Sequence, residues 1–279
     1  MKVAIQGLRG SFHNEAAEKI LAGSEETIEL VECKTFPEVF ESVHAGVADY
    51  GVAAVENNLF GSINPVYGLL ERYSLWIAGD TTLRVDQYLI AHEEISLTAL
   101  QKDSVEVLSQ VMAIAQCDQW LAKNLPQALR REMNDTTASV DWVVAKGDPH
   151  FVAIAGKRAA EERHGHIVAG PINDDPNNFT RFFLLQKKHE EKPNAKRTSI
   201  ILRTDHASGS LYRALGAFEE NNISLSKLDS HPIPGDKRHY AFYIDFDAPL
   251  SSESARNALS KLEAQSCVVK ILGSYPVTA

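Results

Sequence analysis

Asn177-Asn178-Phe179-Thr180-Arg181-Phe182-Phe183-Leu184-Leu185 begins polar and ends as an apolar strand. Alternation along that strand puts Phe179, Arg181 and Phe183 on one side, and Asn178, Thr180, Phe182 and Leu184 on the other. Two hydrogen-bonding side chains, Asn178 and Thr180, therefore share a face at the mouth of the strand. An Asx-turn followed by a threonine suited to a strand is the structural explanation. A ligand contact is the functional one, because chemistry in α/β sheets gathers at strand ends beside loops.

Upstream, strands and helices alternate. Residues 3–5 read as a strand, and Gly7-Leu8-Arg9-Gly10-Ser11-Phe12 as a turn delivering a helix over 13–21. The glycine spacing is not that of a dinucleotide fold. Ser11 fits an N-cap, and free amides at such a helix start can also seat an anion. After a strand over 28–32, Thr35-Phe36-Pro37-Glu38 reads as a helix start, with Thr35 as cap and Glu38 as its reciprocal partner. That helix stops at Gly46. A buried strand over 50–55 then releases Glu56-Asn57-Asn58-Leu59-Phe60-Gly61-Ser62-Ile63, either a solvated turn or a ligand loop.

Two β-rich runs follow at 75–78 and 83–91, the second read as a crossing between two halves of one domain. Beyond a short strand at 105–108, Val111, Ile114, Cys117 and Leu121 form the apolar stripe of a helix. Gln116 lies about 200° from Ile114 on the helical wheel, so it faces solvent or a cleft. Asp135-Thr136-Thr137-Ala138 brings hydroxyls to another helix N-terminus. A strand at 152–155 and a helix from Gly156 lead back to the opening stretch. This alternation predicts an α/β fold with mostly parallel strands.

Downstream the pattern changes. Residues 186–197 carry seven charges and one proline, which suits a linker. Strand 199–203, helix 209–220, strands 224–230 and 240–246, helix 252–264 and strand 268–272 follow. That βαββαβ order is the ferredoxin-like arrangement.

The totals bound the function. At 279 residues and 44% hydrophobic content the chain can build two cores. Its net charge of −9, without a basic run, argues against nucleic acid as partner. No apolar run approaches the roughly 18 residues that span a bilayer. The start, Met1-Lys2-Val3-Ala4-Ile5-Gln6-Gly7, lacks the apolar core and cleavage site of a signal peptide. Cys33, Cys117 and Cys267 are widely spaced and imply neither zinc nor a disulfide framework. A cytoplasmic, metal-free protein is the expectation.

Five segments, in order, resemble bacterial prephenate dehydratase with a C-terminal ACT regulatory domain, over essentially the whole chain. Gly7-Leu8-Arg9-Gly10-Ser11-Phe12 with Ala16-Ala17 is similar to the family's opening turn. Val55-Glu56-Asn57 with Gly61-Ser62 looks like its Glu-Asn-Ser…Gly loop, and Ala115-Gln116-Cys117 with Trp120-Leu121 like its Ala-Gln-Cys helix. Asn178-Phe179-Thr180-Arg181-Phe182 matches the Asn-x-Thr-Arg-Phe signature, the most specific of the five. Gly209-Ser210-Leu211 and Asp229-Ser230-His231-Pro232 resemble the Gly-Ala-Leu and Glu-Ser-Arg-Pro ligand motifs of the ACT domain. Asn58, Phe60 and the run Ser109-Gln110-Val111-Met112 depart from the family's usual residues, as do Asp229 and His231.

The resemblance implies a carbon–oxygen lyase that removes water and carbon dioxide from prephenate to give phenylpyruvate, in phenylalanine biosynthesis. It implies two α/β lobes like those of periplasmic binding proteins over 1–186, a linker over 187–197 and the ACT domain over 198–279. Catalytic roles fall to Thr180, Asn57 and Gln116, which moves Gln116 from solvent to the cleft. Aromatisation drives the reaction, so no cofactor, metal or covalent intermediate is required. The protein must hold a dianion and help hydroxide leave. Thr180 is assigned to the leaving hydroxyl, and the Asn57 and Gln116 amides to orientation or developing charge. Helix starts at Ser11 and Thr136 would seat carboxylates. Glu56, Gly61, Ser62, Asn178 and Phe182 complete the expected substrate contacts, with the protonation of Glu56 open. Arg181, on the far face, is assigned to structure. Phenylalanine is the expected feedback inhibitor, bound by Gly209, Ser210, Leu211, Asp229, Ser230, His231 and Pro232 in a homodimer or homotetramer. Arogenate dehydratase and a non-catalytic amino-acid sensor are the alternatives.

Overall fold

Val3, Ala4 and Ile5 are wholly buried, as are Val52, Ala53 and Val55 two turns of sequence later. Strands this apolar on both faces need cover on both sides, and helices supply it. A computed structural model describes residues 1–190, 192–205, 207–233 and 240–278. The chain divides into two compact units, residues 1–69 with 81–182, and residues 70–80 with 183–279.

In the first unit, Lys2–Gln6 runs parallel to Glu29–Cys33 on one side and to Tyr50–Asn57 on the other. The signature strand, Phe179–Gln186, lies next beyond Tyr50–Asn57. Helices Phe12–Ile20 and Phe36–Ala45 pack on this sheet. Thr35 Oγ1 accepts from Glu38 N at 3.4 Å as expected, but the Glu38 carboxylate returns to Lys34 N at 2.8 Å rather than to the cap residue.

A second sheet in this unit has the order His166–Ala169, Tyr88–Ala91, Phe151–Ala155, Glu106–Ser109, Leu129–Glu132. Phe151–Ala155 is parallel to Glu106–Ser109 but antiparallel to Tyr88–Ala91. His166–Ala169 is antiparallel as well. The expectation of mostly parallel strands is therefore corrected to mixed sheets. The reason is the crossing: the chain enters this sheet through Val85-Asp86-Gln87, so Tyr88–Ala91 runs against its neighbour.

The crossing is clamped by the returning chain. Val85 N donates to Asn178 O at 2.8 Å and Ile172 N donates to Gln87 O at 2.8 Å. The turn before Phe12–Ile20 also meets the helix Lys157–Glu162 at a glycine. Gly10, at φ 92°, sits where a Cβ would lie 3.3 Å from Ala159 Cα and Arg158 O, so only glycine permits this approach. Beside it Arg158 makes a paired bridge to Glu18, 2.5 and 2.7 Å.

The second unit contains the expected βαββαβ order: Arg197–Arg203, Ser210–Glu219, Leu225–Pro232, Tyr240–Phe246, Glu253–Ala264, Val268–Tyr275. Its four strands form an antiparallel sheet with the second and fourth of them at the edges. One face buries Ile200, Leu202, Ala214, Phe218, Ile244 and Leu262. Within the expected linker, Glu191 lies outside the described residues, and Arg197 already belongs to a strand. No helix among the described residues is long and apolar enough to cross a membrane.

Candidate active site

Asn57, the last residue of its strand, is held from several sides. Its Nδ2 donates to Asn178 Oδ1 at 2.8 Å and to Thr180 Oγ1 at 2.9 Å, and lies 3.2 Å from Phe179 O. Its Oδ1 accepts from Leu59 N and Phe60 N, 3.0 and 3.1 Å. These partners determine which end of the amide is oxygen. They also consume its hydrogens. Asn57 lines the cavity, and its amide is engaged with Asn178, Phe179 and Thr180 of the protein.

Thr180 Oγ1 therefore accepts, and its own proton is free to be donated. Asn178, almost wholly buried, accepts from Asn57 and donates through Nδ2 to Val85 O at 3.2 Å. It braces the site from behind.

Gln116 arrives by a different route from the one the helical wheel suggests. The expected single helix is two, Val111–Ala115 and Asp118–Asn124, and Gln116 caps the first. Asp174 causes the break. Its carboxylate accepts from Gln119 N and Trp120 N, both at 2.9 Å, and its own N donates to Gln116 O at 2.8 Å. The predicted stripe fails at Val111, which is 51% exposed, while Cys117 and Leu121 are buried. Gln116 Oε1 accepts from Gln87 Nε2 at 3.0 Å, so its own two amide hydrogens are not used in that bond, and its side chain lines the cleft.

Two helix starts face the same space. Ser11 caps Phe12–Ile20, its Oγ accepting from Asn14 N at 3.4 Å. At the other, Asp135 rather than a hydroxyl is the cap of Thr136–Lys146, accepting from Ala138 N at 2.7 Å. Burial raises its carboxyl above the ordinary range, against the pull of the amides it accepts from. Gly7, at φ 92°, must be glycine here, since a Cβ would lie 2.5 Å from Asp135 Oδ2.

Ser11, Asn57, Gly61, Ser62, Gln116, Thr136, Thr180 and Phe182 thus line one cavity of about 460 Å³ in the first unit. Glu56 and Asn178 do not. Glu56 precedes Asn57 on one strand, so alternation turns it to the other face. His13, Gln87 and Asp135 line the cavity and were not singled out as site residues. His13 accepts from Ala54 N through Nε2 at 3.2 Å, and its ring stands edge-on to Phe182. Burial lowers its pKa to about 4, so it is neutral. Among the described residues no lysine or arginine lines the cavity, which presents helix starts, hydroxyls and amides beside the Asp135 carboxyl. A more open crevice of about 720 Å³ holds Glu15, Arg84, Asp86, Lys157 and Arg158, where Arg84 is paired with Asp86, Lys157 with Glu161 and Arg158 with Glu18.

The prephenate dehydratase family profile matches residues 3–190. The chain belongs to that family. It is 34% identical to arogenate dehydratase/prephenate dehydratase 2, chloroplastic, of Arabidopsis thaliana, across 99% of this chain and 73% of that protein. It is 32% identical to the bifunctional chorismate mutase/prephenate dehydratase of Aquifex aeolicus (strain VF5), across 99% and 74%. The solved prephenate dehydratase from Arthrobacter aurescens, in complex with L-Phe, superposes with a TM-score of 0.84 at 24% identity, covering 99% of this chain and 90% of that one. At that identity the superposition speaks for the fold. As a member of the family, the chain is a lyase.

In the second unit, Gly209 at φ 82° starts the Ser210–Glu219 helix without a side-chain cap. Ser210 Oγ donates toward Asp205 Oδ1 (2.6 Å) and Ala207 O (2.8 Å), and Leu211 is half-buried. The strand expected over 224–230 runs on to Pro232, so Asp229, Ser230, His231 and Pro232 all belong to it, paired with Tyr243, Phe242, Ala241 and Tyr240. Arg203 and His231 flank Ala241 from its two neighbours, so the helix start after Arg203 lies at the same sheet end as His231. Asp229 and His231 are half-buried, 3.1 Å apart, while Ser230 and Pro232 are exposed.

Proposed function

We propose that this chain converts prephenate to phenylpyruvate in the cavity at Thr180, without metal or cofactor. One observation carries the assignment of roles. Asn57 donates to Thr180 Oγ1, so the threonine accepts there and keeps its own proton to donate to a ligand in the cavity it lines. That proton hydrogen-bonds the hydroxyl leaving carbon 4 of the ring, which takes up a proton from solvent to depart as water, while the bond to the ring carboxylate breaks, its electron pair completing the aromatic ring as carbon dioxide leaves. The Gln116 amide hydrogens and the helix start at Ser11 meet the remaining negative charge, since at the other helix start the amides already serve the Asp135 carboxyl. Thr180 and Gln116 are the catalytic groups, and Asn57 and Asn178 position them. Ser11, Thr136, Gly61, Ser62 and Phe182 shape and bind.

Residues 198–279 are, in this reading, an ACT domain that binds phenylalanine through Gly209, Ser210, Leu211 and the Asp229–Pro232 strand end, in a cytoplasmic homodimer or homotetramer. The catalytic part is 1–186 and the linker 187–197. The βαββαβ order and the L-Phe complex of the Arthrobacter aurescens relative support it.

A second substrate has an observation of its own. Asp135 places a carboxylate in the cavity, which suits the ammonium of arogenate, and the Arabidopsis relative carries both activities in its name. Parallel kinetics on prephenate and arogenate, with phenylpyruvate and phenylalanine as the separate products, decide between them. A higher kcat/KM on prephenate supports the primary reading, and the reverse overturns it.

A further inference from the structure

Gln87 is buried at 3% exposure, lines the cavity, and was not marked by any motif. Its Nε2 donates to Gln116 Oε1 at 3.0 Å. Its backbone is fixed twice more: the N donates to Asn173 Oδ1 at 2.7 Å, and the O accepts from Ile172 N at 2.8 Å. Asn173 Nδ2 then donates to Val85 O at 2.8 Å, the same carbonyl that Asn178 Nδ2 reaches. A continuous hydrogen-bonded path thus runs from Thr180 through Asn57, Asn178, Val85, Asn173 and Gln87 to Gln116. It ties the threonine on one sheet to the glutamine beside the other.

Building on the dehydratase reading, we infer that Gln87 is a positioning residue for that reaction: its amide holds Gln116 with the oxygen turned inward and the NH2 toward the substrate's negative charge. A free glutamine at a helix end samples several rotamers and either amide orientation, and a donor aimed at developing charge is effective only when held in place. Losing one neutral hydrogen bond of this kind corresponds to about a tenfold loss in rate.

The test uses the full-length protein. Gln87→Met preserves length and removes the donor, and should lower kcat about tenfold with KM nearly unchanged. In a Gln116→Met background the same change should cost nothing further, because Gln87 acts through Gln116. Gln87→His, which can restore a donor nitrogen, should recover part of the rate. Side-chain amide NMR reads the link without turnover. The Gln116 NH2 pair, assigned by its loss in Gln116→Met, should shift and broaden in Gln87→Met. Additive losses in the double variant, wild-type kcat in Gln87→Met, or an unchanged Gln116 NH2 signal each overturn the inference. If the unsubstituted protein turns over neither prephenate nor arogenate, the dehydratase reading fails, and the NMR result alone decides whether Gln87 holds Gln116.

Discussion

Asn57 donates its side-chain amide to the hydroxyl of Thr180 across 2.9 Å, although 123 residues separate them. The bond fixes which atom of the threonine is acceptor and which is left to donate. Thr180→Ala should therefore lower kcat by about 10²-fold or more with little change in stability, since a donor aimed at developing charge is removed. Thr180→Ser keeps the hydroxyl and should lose far less. Steady-state kinetics beside thermal unfolding separate the cases; equal losses in both variants would show that the hydroxyl is not the acting group.

Asn57→Asp retains an acceptor for Leu59 N and Phe60 N but deletes the donor to Thr180. The carboxylate would draw the Thr180 proton inward, away from the cavity. The variant should fold and still lose about as much activity as Thr180→Ala. Wild-type kcat in a folded Asn57→Asp protein would remove Asn57 from the account.

The strand face shared by Asn178 and Thr180 was legible from alternation alone, and the caps at Ser11 and Thr35 from residue type at the helix starts. The βαββαβ order was legible because each element there has a clear period and boundary. Gln116 was not placed by periodicity, since Asp174, 55 residues beyond Gln119, ends the helix the wheel assumed. Gln87 and His13 carried no local signal. Their roles come from partners brought together by the crossings, which no window of sequence contains.

His13 makes stability depend on pH in a defined direction. Burial lowers its folded pKa to about 4, below the ordinary histidine value of 6.5. Between those values the unfolded chain binds a proton that the folded chain refuses, so stability is lost as pH falls through that window and regained as it rises. His13→Gln keeps an acceptor for Ala54 N and should flatten this part of the profile. Urea unfolding at pH 4.5, 5.5 and 7 measures it, and an unchanged slope in the variant assigns the effect elsewhere.

Phenylalanine should raise the apparent stability of the protein and inhibit it. A ligand confined to the folded state adds about 2.7 kcal/mol at a hundredfold excess over Kd. Gly209→Ala should weaken both effects, because Gly209 holds φ 82° and a Cβ would lie 3.1 Å from Arg213 Nη1. Thermal unfolding and dehydratase rate with millimolar phenylalanine check this. No shift and no inhibition in the unsubstituted protein would show that the second unit does not sense phenylalanine.

The most direct measurement is the conversion of prephenate by the purified protein with EDTA present and no nucleotide or other cofactor added. Phenylpyruvate is followed against a buffer blank and against Thr180→Ala in parallel. The account predicts rapid formation by the unsubstituted protein and a loss of about 10²-fold or more in the variant. A rate no better than buffer, or one that the loss of the Thr180 hydroxyl leaves intact, would contradict it.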